Sequence, residues 1–206
     1  MRRFAFAIAC LALAACQKEP APAQLDAASP QTAAPGASPI AISDVEGWET
    51  RQTAYAFLGA LAPDFNARKL GGGEVSQKDL RGHWTILGFW TTPNENEAKE
   101  EMRYIGALNS AANQDPDLDF LSVYLANGGD FDVQKWFAGG DAWPTLLDDG
   151  KLVDIFSIEK APVYLLIGPD LTIEGYRGAL AKTPDDGIKS VIRGVAEIKK
   201  QIAAPE

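Results

Sequence analysis

The stretch Trp84-Thr85-Ile86-Leu87-Gly88-Phe89-Trp90-Thr91-Thr92-Pro93-Asn94-Glu95-Asn96-Glu97 changes character halfway along. Its first seven residues form a near-continuous apolar run, the pattern of a strand covered on both faces. Its last four open a helix in which Ala98, Met102, Ile105 and Leu108 recur at helical spacing. Asn94 and Glu97 stand three residues apart, the spacing of a capping box. A buried strand that runs directly into an amphipathic helix is the opening unit of an α/β fold.

The flanking sequence continues the alternation. Upstream, Gly71-Gly72-Gly73 marks a permissive turn between two short strands within Ala67 to Val75. A phosphate-cradling loop would need a Lys-Ser/Thr pair after the glycines, and none follows. Downstream, Phe120 to Leu125 is the next buried strand, and a short helix is predicted near Asp130 to Phe137. Leu146 to Ile158 reads as a hairpin around Asp149-Gly150, and Val163 to Ile167 with Leu171 to Tyr176 as a second one around Gly168-Pro169-Asp170. Thr183-Pro184-Asp185-Asp186 supplies a cap, a proline and two acids for a closing helix, with Ile188, Val191, Ile192, Val195, Ile198 and Ile202 as its apolar stripe. The order predicts an α/β fold: a central mixed β-sheet flanked by helices.

The chain has 206 residues, 46% of them hydrophobic and 23% charged, which suits one globular domain with additions or two very small domains. A net charge of -9 without a cluster of cations argues against nucleic-acid binding. One His, two Met and two Cys cannot build a His-rich, Met-rich or multi-Cys metal site, and no cofactor is expected.

Residues 1–16 carry Arg2 and Arg3 before a short apolar run and end in Leu13-Ala14-Ala15-Cys16. The run is too short to cross a membrane. The ending resembles the bacterial lipobox, which implies a lipoprotein signal peptide, lipidation at Cys16 and anchoring that faces the periplasm. Gln17 in place of Asp after that Cys implies sorting to the outer membrane. Cys10 would be discarded with the leader and the Cys16 sulfur would be spent in a thioether, so the mature chain would hold no free thiol. It would carry 17 cations against 28 acids, a net charge of -11. Residues 17–42 contain thirteen Ala or Pro and no apolar periodicity, as in a disordered tether, which could extend roughly 80 Å. Residues 43–62 suggest an ordered N-terminal helix or arm through Val45, Trp48, Tyr55, Phe57, Leu58 and Leu61, and residues 63–206 the folded domain.

Four pieces taken in order carry a resemblance. They are Ala62-Pro63-Asp64-Phe65; Leu80-Arg81-Gly82-His83-Trp84 leading into Phe89-Trp90-Thr91-Thr92; Trp143-Pro144-Thr145-Leu146-Leu147-Asp148; and Ala161-Pro162-Val163-Tyr164-Leu165-Leu166-Ile167. The set resembles the TlpA/ResA-type thioredoxin-like proteins within the AhpC/TSA redoxin group. The resemblance implies a thioredoxin-like fold over about 63–200, with a cis-proline at Pro162 beside Ala161 facing the active site.

The chain departs from the pattern where the chemistry would lie. The family places Trp-Cys-x-x-Cys after Phe-Trp-x-x, with a thiolate at the helix N-terminus. Here Trp90, Thr91, Thr92, Pro93, Asn94, Glu95, Asn96 and Glu97 occupy that loop without a cysteine. Thiol–disulfide exchange and peroxide reduction both need a thiolate, and copper delivery of the Sco kind needs a Cys pair and a downstream His. The reading is a redox-inactive, membrane-anchored module with a degenerate active site, assigned no catalytic residue. It would bind an envelope protein or peptide near Thr91, Thr92, Pro93, Ala161 and Pro162.

Two alternatives stand beside it. One is thiol–disulfide oxidoreductase or antioxidant activity by family label. The other is a carboxylate- or metal-dependent activity at Glu95 and Glu97, against which stands the ordinary role of Glu in a first helical turn. His83 lies about 20 Å from that helix start along the strand and cannot serve it. Trp90 and Trp143 are read as core aromatics or groove walls, and Asp115, Asp117, Asp148 and Asp149 as solvated turn residues.

Overall fold

A computed structural model describes residues 45–50, 55, 57–92, 94–126, 132–137, 143–178 and 184–204; of Glu95, Trp136 and Pro184 it describes the backbone alone. The expected leader with Cys16, the tether 17–42, Pro93 and part of the 43–62 segment lie outside these residues.

The strands are β1 (Asn66–Lys69), β2 (Glu74–Ser76), β3 (Trp84–Trp90), β4 (Leu118–Leu125), β5 (Thr145–Asp148), β6 (Val163–Ile167) and β7 (Ile173–Arg177). The helices are α1 (Glu95–Ala112), α2 (Val133–Phe137), α3 (Lys151–Ile155) and α4 (Pro184–Ala203). One mixed sheet takes the order β2-β1-β5-β4-β3-β6-β7. The β3–β4 and β4–β5 pairs are parallel and the other pairs antiparallel. Among the described residues no helix is long and apolar enough to cross a membrane.

The strand β3 is apolar on both sides because both sheet faces are covered. Ile86 and Trp90 pack with Met102, Ile105 and Leu108 of α1 and with Val191, Val195 and Ile198 of α4. Leu87 and Phe89 pack on the other face with Leu152, Phe156, Leu58 and Phe65. The stripe read on α1 is buried at every position.

Two expectations change. Leu146 to Ile158 is not a hairpin: β5 passes into α3. The Asp148 carboxylate is buried, 6% exposed, and accepts from the backbone N–H groups of Gly150, Leu152 and Val153 at 3.1, 2.8 and 3.2 Å. A carboxylate that satisfies the free donors of a helical turn stabilises that turn, so Asp148 is not a solvated turn acid. Gly150, at φ 99°, enters the turn in the left-handed region that favours glycine.

The segment 43–62 forms no helix among its described residues but runs as an arm along the β7 edge. Glu49 N–H donates to the Tyr176 carbonyl at 2.7 Å, and Tyr176 N–H returns a bond of 2.9 Å to Glu49. Trp48 is buried against Gly175 and Gly194; a Cβ on Gly175 would stand 2.8 Å from its ring. The arm thus covers an edge that would otherwise be open to another strand.

Candidate functional site

The C-terminal end of β3 and the N-terminus of α1 meet in one loop. Register places Val163 opposite Phe89, so Pro162 follows beside Trp90, and the Ala161–Pro162 peptide is cis. Ala161 and Pro162 are half-buried and present part of their surface to solvent.

The loop is closed by its own hydrogen bonds. The Thr91 hydroxyl donates to the Leu125 carbonyl at 3.0 Å, tying the loop to the end of β4. Thr92 is 1% exposed, and its hydroxyl donates to the Asn94 carbonyl at 2.8 Å. That carbonyl also accepts the first helical bond, from Ala98 N–H at 3.0 Å. Asn94 is the N-cap, its side-chain oxygen accepting from Asn96 N–H and Glu97 N–H at 3.0 and 3.1 Å. Its amide donates to Glu97 Oε1 at 3.0 Å. A helix N-terminus favours negative charge through these same unsatisfied donors; here the chain's own amide takes two of them.

Of the residues read from sequence, Thr91, Ala161 and Pro162 are each half-buried, while Thr92 is buried and its hydroxyl is turned inward. Asn94, Asn96 and Glu97 are exposed on the first turn. Glu95 is placed there only by its backbone, and Pro93 lies outside the described residues. Among the described residues, no group of three or more His, Cys, Asp and Glu could hold a metal. His83 is at the other end of β3, more than half exposed, its Nδ1 3.6 Å from Asp119.

Trp90 is core, 1% exposed, with its ring 4.9 Å from that of Tyr124. Its indole N–H is buried without a hydrogen-bond partner among the described residues. Sequence reading missed the ionisable groups on this helix-covered face. Burial raises the Glu101 carboxyl above the usual carboxylate range. Burial also raises the Tyr164 phenol, with the Glu101 charge adding to the rise and Arg177 opposing it. The Arg177 side chain is itself buried, donates to Ser190 Oγ at 3.2 Å and backs onto Gly47, where any Cβ would collide with the guanidinium. Its pKa falls through desolvation, against the pull of Glu46. The available signal for Glu101 was its position three residues after Ala98, on the flank of the apolar stripe.

The sheet order, with three parallel strands β5-β4-β3 at its centre and an antiparallel β6–β7 hairpin beside them, defines a thioredoxin-like fold. Comparison with known proteins agrees. The chain belongs to the AhpC/TSA family, whose model matches residues 58–176. Among solved structures, it is similar to a putative thioredoxin from Neisseria meningitidis, at 20% identity over 70% of this chain and 93% of that one, TM-score 0.54. It is similar to a putative thiol:disulfide interchange protein DsbE from Chlorobium tepidum, at 19% identity over 68% and 96%, TM-score 0.53. The pneumococcal exposed lipoprotein thioredoxin Etrx1 from Streptococcus pneumoniae matches at 19% identity over 63% and 98%, TM-score 0.50. No curated protein matches the chain.

Proposed function

We propose that this chain is a thioredoxin-fold module that has given up thiol chemistry and binds an envelope protein or peptide non-covalently, at the surface formed by Thr91, Ala161 and Pro162. One observation carries the reading: residues 17–206 contain no cysteine, and threonine and asparagine side chains fill the loop where the family's redox pair would stand. Disulfide exchange proceeds only through a thiolate. The helix N-terminus that would stabilise one is occupied by Asn94. What the loop retains is shape: a half-buried threonine, Thr91, and a half-buried proline, Pro162.

The module is held on the bacterial outer membrane through lipid on Cys16, facing the periplasm. Support comes from Leu13-Ala14-Ala15-Cys16 and Gln17, and an exposed lipoprotein is among the proteins sharing the fold. Residues 17–42 act as the tether.

The test is site-specific photocrosslinking in a Gram-negative host, with the reactive residue at position 161 or, as a control, at exposed position 189 on α4. A discrete adduct is expected from position 161 alone, unaffected by reductant and lost in Thr91→Arg. Equal adducts at both positions, or an adduct that reductant cleaves, would overturn the reading. Labelled palmitate should enter the wild-type chain and not Cys16→Ser.

A further inference from the structure

The arm over the β7 edge is fixed to the domain in two separate places. Downstream, the Tyr55 hydroxyl donates to the Phe156 carbonyl at 2.7 Å, Gly59 N–H to the Ile173 carbonyl at 2.9 Å and Ala62 N–H to the Leu171 carbonyl at 2.8 Å. Upstream, the hold consists of the Glu49–Tyr176 backbone bonds and the buried side chains of Val45 and Trp48. We propose that residues 45–50 form a strap that opens as a unit while the rest of the domain stays folded, and that the burial of Arg177 beneath it keeps the strap poised to open.

What favours closure is apolar. Trp48 is 4% exposed, its ring filling the space left by Gly175 and Gly194, where any added side chain would collide with it. Trp48 N–H donates to the Val45 carbonyl at 2.9 Å, closing a turn in which Gly47 stands at φ 77°, and so brings both side chains down onto the domain. The polar contribution is small. The Trp48 indole N–H reaches the Val191 carbonyl at 3.4 Å, long for a hydrogen bond.

What opposes closure is an unpaired charge. Gly47 lies against the Arg177 guanidinium, and Arg177 is 7% exposed. The bond to Ser190 Oγ is its side chain's one hydrogen bond among the described residues, and its Nε has no partner there. No carboxylate forms an ion pair with it among the described residues, and Glu46, the acid that acts on it, is exposed. A buried cation without a paired carboxylate bears its desolvation cost uncompensated. Lifting Gly47 away returns the guanidinium to water. The Thr50 hydroxyl, next to Glu49, is also buried without a partner among the described residues, and opening hydrates it too. Apolar burial set against a buried, unpaired cation leaves a small difference, the energetic condition for local opening.

Opening bares the N–H and C=O of Tyr176 at the sheet edge, while Ile173 stays covered by Gly59 and Ala60. Register sets Arg177 against Tyr164, two residues after Pro162, so the bared half of the edge is the half nearer the cis peptide. The sequence before Val45 enters the domain through the strap, so a pull on the N-terminal chain reaches the strap first.

The test is amide hydrogen exchange, followed by NMR on the isotope-labelled full-length chain in detergent micelles. The Glu49 and Tyr176 amides are expected to exchange with equal protection, at least about tenfold faster than Leu87 in β3. Trp48→Ala should speed both about a hundredfold and leave Leu87 unchanged. Arg177→Met removes the charge but keeps a long side chain beneath Gly47, and should slow both amides about tenfold. Thr50→Val replaces the unpartnered hydroxyl with a methyl group and should slow them about threefold; it carries the test if Arg177→Met does not fold. Exchange at the Leu87 rate in the wild type, or exchange that neither substitution slows, would overturn the proposal.

Discussion

The two ends of the central strand differ in what their loop side chains do with their hydrogen bonds. At the Trp90 end, Thr91, Thr92, Asn94 and Asp148 each have partners within the protein, while the Trp90 indole N–H and the Arg177 Nε are left without one among the described residues. At the Thr85 end, the Thr85 hydroxyl and Trp143 N–H have none among the described residues. The Trp90 end is where the family would place its reactive pair, yet here its side chains stabilise the loop itself. The contrast teaches that a loop can keep its place in the fold while its side chains turn from chemistry to holding the backbone.

That contrast predicts substitutions of opposite sign. Asp148→Ala has the largest effect. It leaves three backbone N–H groups of the α3 turn without their acceptor, and should cost about 3 kcal/mol in denaturant unfolding. Asn94→Ala removes the cap of α1 and should cost about 1 kcal/mol, lowering Tm by a few degrees. Thr85→Val at the other end should instead stabilise by about 1 kcal/mol, because it removes an unpaired buried hydroxyl without changing shape. A loss of stability in Thr85→Val would erase the contrast.

The smallest effect is pH-dependent and lies at neither site. Burial, with Asp170 adding to it, raises the Glu174 carboxyl from 4.5 to about 7. An acid raised in the folded state favours folding most at low pH. That contribution is complete below the unfolded pKa, declines as pH rises from about 4.5 to about 7, and is absent above. Because Glu174 is partly exposed, the swing should be about 1 kcal/mol. Urea melts at pH 5 and pH 8 should differ by that amount in the wild type, and the difference should shrink in Glu174→Gln.

Much of the fold was legible because periodicity and burial agree. The all-apolar Trp84–Trp90 run became the doubly covered β3, and the stripes on α1 and α4 became the two halves of one face of the core. The segment after β5 was misread because Asp149-Gly150 signals a turn in hairpins and helix starts alike. The deciding features are tertiary: the Asp148 carboxylate folds back on the next turn, and Leu152 and Phe156 are buried against the sheet. The arm was visible as apolar residues, but its partner depends on Gly175 and Gly194, distant in sequence, leaving room for Trp48. At the loop, sequence named the residues but not their directions, so Thr92 appeared available although its hydroxyl is turned inward. The unpartnered Thr85 hydroxyl and Trp143 indole N–H were each invisible because an unfilled hydrogen bond is a property of packing, with no residue pattern to announce it.

The central claim, that this member of the family works without thiol chemistry, is tested most directly by insulin reduction with residues 17–206 and dithiothreitol. The account predicts the rate of the protein-free control, unchanged in Pro162→Ala. Catalysis above that control which falls in Pro162→Ala would contradict the claim.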